Sequence, residues 1–495
     1  MQLYLILSAL GISTVVQAGI KLNYYHDGGC TDYAFSTTDV PYYEYHNLDP
    51  AGTNSANIAN CDLSALSPST KLSQPKFLSK PSPAPQPAIP PAVGLTPVRS
   101  KGIVAAKGPT EWSPFAVFLL GDFPRAIQTH NSIAGYQDSL YTAMSITPKI
   151  FATGITGYVG GDGLFALLQK YPHWESSITA LVRSPEKGEL ISEAYPKVKL
   201  VYGNLDDVEL LEEESAKADI ILNWADSDHP KSTEAIVRGA KRHTVDNPVF
   251  LIHTSGTGIL TWKTVESKTF GELEAKIYDD WDGIGEVTSL PDGAAHRNVD
   301  KIILAAGKDP AVKTAIVCPP SIYGVGRGQG NKRSQQLYDL TRIILTSGRG
   351  MRVGKGENKQ THINVYDLSD LYVLLVDEAV VGGGKATWGS KGYYFSSRGE
   401  QTWGEVAKQI TACAFELGFI SSDGVSEFNS EELAKSAGHS HAALIFGGNA
   451  REKSIRARTL LGYSPTRHSI FEEIPTAVAS EAARLGIANK FGQKN

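Results

Sequence analysis

Lys149-Ile150-Phe151-Ala152-Thr153-Gly154-Ile155-Thr156-Gly157-Tyr158-Val159-Gly160 is the stretch on which the fold of this chain turns. An apolar run of strand length enters a turn with glycines at every third position. Leu164, Leu167 and Leu168 then mark one face of a helix. Each glycine has a physical task. Gly154 permits the tight turn, Gly157 lets the backbone approach a diphosphate, and Gly160 allows helix and strand to pack closely. The amides of Thr156, Tyr158 and Val159 then stand at the positive end of the helix, where an anion is favoured. A glycine pattern alone is weak evidence, but a strand before it and a helix after it make it a dinucleotide-binding turn.

Working outward, the same rhythm continues. Ile178–Val182, Val198–Tyr202 and Ile220–Leu222 read as further buried strands separated by amphipathic segments. That alternation predicts an α/β fold, a doubly wound parallel Rossmann sheet wrapped by helices. Arg183 follows the second strand, where an acidic residue would hold the ribose hydroxyls of NAD. A guanidinium there suits the 2′-phosphate of NADP, so the residues favour NADP with NAD as the alternative. Asn204 and Leu205 at the third strand's tip, and Ala225 at the fourth's, lie on the carboxyl edge where such sheets bind ligands.

Residues 1–146 have a different composition. Leu3 to Val16 is an apolar run of signal-peptide length, ending near Val16-Gln17-Ala18 but lacking a basic start, so the pattern leaves a leader over 1–18 open. Ser64 to Pro97 is rich in Pro, Ser and Ala, and the expectation for 19–146 is a disordered extension. Cys30 and Cys61 would pair only if that segment is secreted. Cys318 and Cys413 read as buried apolar residues of a reduced compartment, which places the folded body in the cytoplasm unless the leader is genuine. The four cysteines have no metal-ligand spacing, so no metal is expected. A net charge of −5 without a basic run argues against nucleic acid, and the leading apolar run is too short to span a membrane. Residues 147–330 are assigned to dinucleotide binding and 331–495 to an interleaved substrate-covering part. The sequence does not give the oligomeric state.

Several later stretches carry a resemblance. They are Gly203-Asn204-Leu205-Asp206, Phe250-Leu251-Ile252-His253-Thr254-Ser255-Gly256-Thr257, Cys318-Pro319-Pro320-Ser321-Ile322-Tyr323-Gly324, His362-Ile363-Asn364-Val365-Tyr366-Asp367-Leu368 and Ala457 to Pro465. With the glycine turn, and in this order, they resemble the extended short-chain dehydrogenase/reductase superfamily in its nucleoside-diphosphate-sugar epimerase-like branch, the NAD-dependent epimerase/dehydratase type. The resemblance implies an NAD(P)-dependent oxidoreductase or epimerase/dehydratase acting on a small molecule: a carbonyl, an alcohol or a nucleotide-sugar.

It also implies site residues. Ser255 matches the family's catalytic hydroxyl, with Thr257 beside it. Lys301 matches the lysine that assists catalysis and bonds the nicotinamide ribose, and Pro319 lies on the cofactor side. The family places a tyrosine four residues before that lysine, and Arg297 stands there instead. A guanidinium stays protonated and cannot exchange a proton as a phenol does. The second reading is therefore a non-catalytic dinucleotide sensor. His296, next to Arg297, reads as a surface histidine, and Tyr278 or Tyr323 could replace the missing phenol. The polar stretch 261–295, with Asp279-Asp280-Trp281-Asp282, reads as a solvated loop that forms part of a lid.

Overall fold

The computed structural model describes residues 147–429 and 441–489, a few positions between them, and the backbone of 20–25, 33–40 and 55–56. The chain divides into two compact units, residues 1–116 and 117–495. In the first, Ile20–Tyr25 pairs antiparallel with Tyr33–Val40 and with Ser55–Ala56. The leader, the Pro-rich stretch, Cys30 and Cys61 lie outside the described residues.

The second unit is built on a parallel sheet of seven strands: β1 (Ile150–Thr153), β2 (Ile178–Val182), β3 (Lys199–Tyr202), β4 (Ile220–Asn223), β5 (Val249–Thr254), β6 (Val312–Cys318) and β7 (Tyr393–Phe395). Their order across the sheet is β7-β6-β5-β4-β1-β2-β3. β1, β4 and β5 are apolar and buried along their length because helices cover both faces. β3, at the edge, keeps its outer residues exposed. The second strand and its neighbours follow the sequence reading to within a residue or two.

Helices α1 (Tyr158–Lys170), α2 (Pro185–Ala194) and α6 (Val365–Val380) close one face over Ile150, Leu164, Ile191, Leu222 and Leu371. Helices α3 (Val208–Ser215), α4 (Pro230–Ala240) and α5 (Arg297–Ala306) close the other over Phe151, Leu211, Ile236, Leu251 and Ile303. A third core holds Tyr323, Trp403 and Phe446 among the helices Gln336–Ser347, Trp403–Glu416 and Ile470–Leu485. Because β7 and α6 come from residues beyond 330, the later part of the chain completes the sheet. Among the described residues no helix is long and apolar enough to cross a membrane.

The strand order reverses between β1 and β4. In an open sheet of this kind the crevice at that reversal is where a ligand enters. Gly154, Ala225 and Ser255 follow β1, β4 and β5, so three sequence-named residues stand at neighbouring strand tips.

Candidate active site

The glycine turn leaves no room for a side chain at two of its positions. Gly154 has φ +76°, and a Cβ on it would lie 2.7 Å from the backbone of both Trp224 and Ala225. A Cβ on Gly160 would meet Gly154 O at 2.4 Å. The turn closes through Gly157 N–H to Gly154 O at 2.8 Å. Gly157 caps α1 without a side chain, and α1 has no acid in its first turn. The amides of Tyr158, Val159 and Gly160 are thus the open donors of a helix start, with no carboxylate competing for them. No larger side chain could be added at Gly154 or Gly160 without moving backbone.

Around the turn, Ala225 N–H donates to Thr153 Oγ1 at 3.3 Å. Arg183 is exposed at the carboxyl end of β2. Asn204 Oδ1 accepts Asp206 N–H at 2.7 Å and its own N–H reaches Asp207, so this side chain first shapes its turn. Leu205 packs on the core face of α3. Pro319 O accepts Thr257 N–H at 3.0 Å, which draws the tips of β5 and β6 together.

A strap that sequence reading missed runs over the turn. Tyr158 Oη donates to Gly324 O at 2.6 Å, and Asn331 N–H donates to Thr156 O at 3.0 Å. Between them Arg327 grips the fully buried Asp162 of α1 with its Nη2 at 2.6 Å, its Nε at 3.0 Å and its backbone N–H at 2.8 Å. Ser369 Oγ also donates to Asp162 at 2.6 Å, and the guanidinium lies 4.0 Å from the Tyr366 ring.

The residues assembled on Ser255 are not the ones expected. Ser255 is buried, and its hydroxyl completes no full hydrogen bond among the described residues. Close to it lies Asp300, also fully buried, with Oδ2 accepting from Tyr393 Oη at 2.9 Å. Burial pushes the Asp300 carboxyl up to about 6, against the pull of the nearby Ser255 and Tyr393 hydroxyls and of His296 and Arg297.

His296 closes the group. Its Nδ1 lies 2.8 Å from Asp228 Oδ1 and 3.2 Å from Ser227 Oγ, both on the loop after β4. The Asp228 carboxyl is held below its ordinary range, first by that hydrogen bond. His296 Nε2 faces the tip after Ser255, where a Cβ added to Gly256 or Gly258 would meet it at 3.1 or 3.0 Å. The residue sits at φ +61° just before α5, a conformation that costs a non-glycine residue energy and tends to persist at functional sites. His296 is therefore not the surface histidine the sequence suggested. Its signal was the spacing His296-x-x-x-Asp300, which repeats Tyr-x-x-x-Lys one residue earlier than the alignment on Lys301.

The structure does not bring Lys301 into this group. Its Nζ pairs with Asp292 at 2.8 Å, and both side chains are exposed. Arg297 is buried and donates from Nε to Leu290 O at 2.9 Å. Neither tyrosine considered as a substitute is available. Tyr278 Oη accepts Trp262 Nε1–H at 3.0 Å, and the buried Tyr323 donates to His468 O at 2.5 Å. The 261–295 stretch is not a solvated loop throughout. Tyr278–Asp279 pairs with Glu452–Lys453, and Asp280 is fully buried, accepting N–H groups of Phe395, Ile455 and Arg456 at 2.8–2.9 Å. Among the described residues no group of three His, Cys, Asp or Glu could hold a metal.

Against this geometry, the model of the NAD dependent epimerase/dehydratase family matches residues 150–387. "Oxidase ucsJ" of Acremonium sp is 36% identical over 352 residues, covering 69% of this chain and all of the relative. The dTDP-glucose 4,6-dehydratase of Mycobacterium tuberculosis is 21% identical over 269 residues, 51% of this chain and 73% of its own. The solved structure of DesIV, a dTDP-glucose 4,6-dehydratase from Streptomyces venezuelae with NAD bound, aligns at a TM-score of 0.48 and 16% identity. That alignment covers 68% of this chain and 98% of DesIV.

Proposed function

The chain belongs to the NAD-dependent epimerase/dehydratase family, and from that premise we propose that it is an NADP-using oxidoreductase or epimerase/dehydratase in which the Asp228–His296 pair does the proton work the family gives to a tyrosine. One observation carries the reading. His296 rests its Nδ1 on a carboxylate at 2.8 Å and turns Nε2 toward the tip that follows Ser255. An imidazole so held has its proton fixed on Nδ1 and a lone pair free on Nε2, the arrangement of a general base.

The charges support the exchange. A lysine one turn below a tyrosine stabilises an anion, the phenolate. Here the carboxyl of Asp300 stands one turn below a histidine and, when ionised, the form it stabilises is a cation, the imidazolium. Both members are inverted together, so the proton transfer keeps its electrostatic support. Ser255 orients the substrate oxygen with its hydroxyl while His296 Nε2 takes the proton from an alcohol, or returns it to a carbonyl. Thr257 lines the same tip.

NADP, when bound, supplies the nicotinamide that accepts or gives a hydride. The amides of Tyr158, Val159 and Gly160, with Thr156 and Gly157 in the turn, would hold its diphosphate. Arg183 would take the 2′-phosphate, with Asn204, Leu205, Ala225 and Pro319 along the rest of the crevice. Residues 147–330 are the cofactor side, and 331–495 cover a substrate that is a carbonyl, an alcohol or a nucleotide-sugar. The free thiols of Cys318 and Cys413 support a reducing compartment for this unit.

The test is NADPH oxidation and NADP⁺ reduction by the full chain across aldehydes, ketones, alcohols and nucleotide-sugars, repeated with His296→Gln. Turnover that falls at least ~100-fold in the variant, the usual worth of a general base, supports the reading; undiminished turnover overturns it. The buried Arg297 in the tyrosine position favours the sensor instead, and tight NADPH binding with no turnover on any of these substrates would select it.

A further inference from the structure

The strap that crosses the glycine turn lies between the strand Ser321–Tyr323 and the helix Gln336–Ser347 and forms no helix or strand of its own. It reads Gly324-Val325-Gly326-Arg327-Gly328-Gln329-Gly330-Asn331, a glycine at every second position. Two of these glycines let backbone lie on backbone. A Cβ on Gly330 would stand 2.1 Å from Thr156 O, and one on Gly328 would stand 2.6 Å from the backbone of Gly161. A stretch so rich in glycine loses more freedom than most when it is ordered, so its order depends on its anchors.

On one side the anchors belong to the turn and α1. Asn331 N–H reaches Thr156 O at 3.0 Å, Tyr158 Oη reaches Gly324 O at 2.6 Å, and Arg327 holds Asp162. Tyr158 faces both ways. Its amide is one of the open donors of α1, while its ring lies against the strap, 3.2 Å from where a Cβ on Gly326 would stand. On the other side the anchors belong to the third core. Arg333, just past the strap, donates to the buried Glu481 of the last helix at 2.6 Å and to Asp339 at 2.9 Å. Ser334 Oγ donates to Ile322 O at 2.7 Å. Tyr323, just before the strap, donates to the carbonyl of His468, close to the start of the last helix. The turn and the helix Ile470–Leu485 thus share one intervening piece.

We infer that the strap couples the two: a dinucleotide that seats its diphosphate on the turn tightens the last helix, on the far side of the strap. The diphosphate fixes the amides of Tyr158, Val159 and Gly160. That holds the Thr156 carbonyl and the Tyr158 ring in place and removes part of the entropy that ordering the strap would otherwise cost. Arg333 and Tyr323 then carry that order to Glu481 and to the His468 carbonyl. Coupling between sites is reciprocal in binding free energy, so whatever settles the third core also tightens the dinucleotide by the same factor. The inference rests on the reading of the glycine turn as a diphosphate seat and not on the chemistry of His296.

The experiment is backbone hydrogen exchange of the full chain with and without saturating NADPH, for the native protein and for Arg327→Lys. Lysine keeps a positive charge beside Asp162 but gives up the guanidinium fork. In the native protein NADPH slows exchange in 154–164 and also in Ile470–Leu485, there by about fivefold or more, the lower end of ordinary coupling between sites. In Arg327→Lys, again saturated with NADPH, the slowing at 154–164 persists and that at Ile470–Leu485 falls below about twofold. Native protection that stops at the turn overturns the inference, and so does full protection of the last helix in Arg327→Lys. If Arg327→Lys does not fold, Tyr158→Phe, which gives up the bond to Gly324 O, takes its place with the same split expected. Failure of the dinucleotide reading looks different: NADPH then slows exchange nowhere, 154–164 included, and the inference falls with it.

Discussion

In the mechanism proposed above, a histidine stands in for a tyrosine and the charges around it change sign as well, with Asp228 on one side of His296 and Asp300 below. Replacing Asp228 with Asn should lower kcat by about 10–100-fold, because the ring loses the acceptor-only carboxylate that fixes its tautomer, while dinucleotide affinity by calorimetry stays within about threefold. Ser255→Ala should lower turnover by a comparable factor without shifting the melting temperature, since the hydroxyl completes no full hydrogen bond at rest. Arg183→Ala should weaken NADPH by about tenfold and leave NADH unchanged, the loss of roughly one charge-assisted hydrogen bond; equal weakening of both would remove the role given to the guanidinium. At this scale the sequence was only partly legible. Ser255 and the glycines could be placed because strand ends follow from the apolar runs before them. His296 was read as a surface residue, and its pairing with Asp228, 68 residues away, is nothing that spacing reveals.

Among the elements, α1 and the strap from Gly324 to Asn331 act as one piece. Asp162 lies in the first turns of α1, fully buried, and Arg327 supplies its only opposite charge among the ion pairs described. Arg327→Met leaves that carboxylate buried with only Ser369 Oγ and a backbone N–H. The expected cost is about 3–5 kcal/mol in denaturant unfolding, together with weaker NADPH binding as the turn loses its brace. A loss under about 1 kcal/mol would show that the strap does not hold the turn. Strand and helix periods were readable because burial on both faces forces apolar runs and an amphipathic helix shows one stripe. The strap was not readable, since Arg327 and Asp162, and Gly324 and Tyr158, meet across about 165 residues of chain.

For the molecule as a whole, buried acids set how stability responds to pH. Burial raises Asp300 to about 6 and Glu452 from 4.5 to about 8. Each favours the fold while protonated, so its contribution is complete below the ordinary carboxylate range and is lost as pH rises through about 6 for Asp300 and 8 for Glu452. Glu452→Gln should therefore melt about 2–4 °C above the native protein at pH 8.5 and match it near pH 4.5; equal melting at both would mean that Glu452 ionises freely in the fold. By itself the sequence determined the sheet, its helices and the glycine turn, because these follow from local period, glycine sterics and the free amides of a helix start. It did not determine that residues beyond 330 supply the last strand, or that Asp280 is a buried staple, or which groups surround Ser255. Those depend on side chains far apart in the chain meeting at neighbouring strand ends, where burial and opposite charge, acting only after the sheet has closed, decide which protons are held and which are free to move.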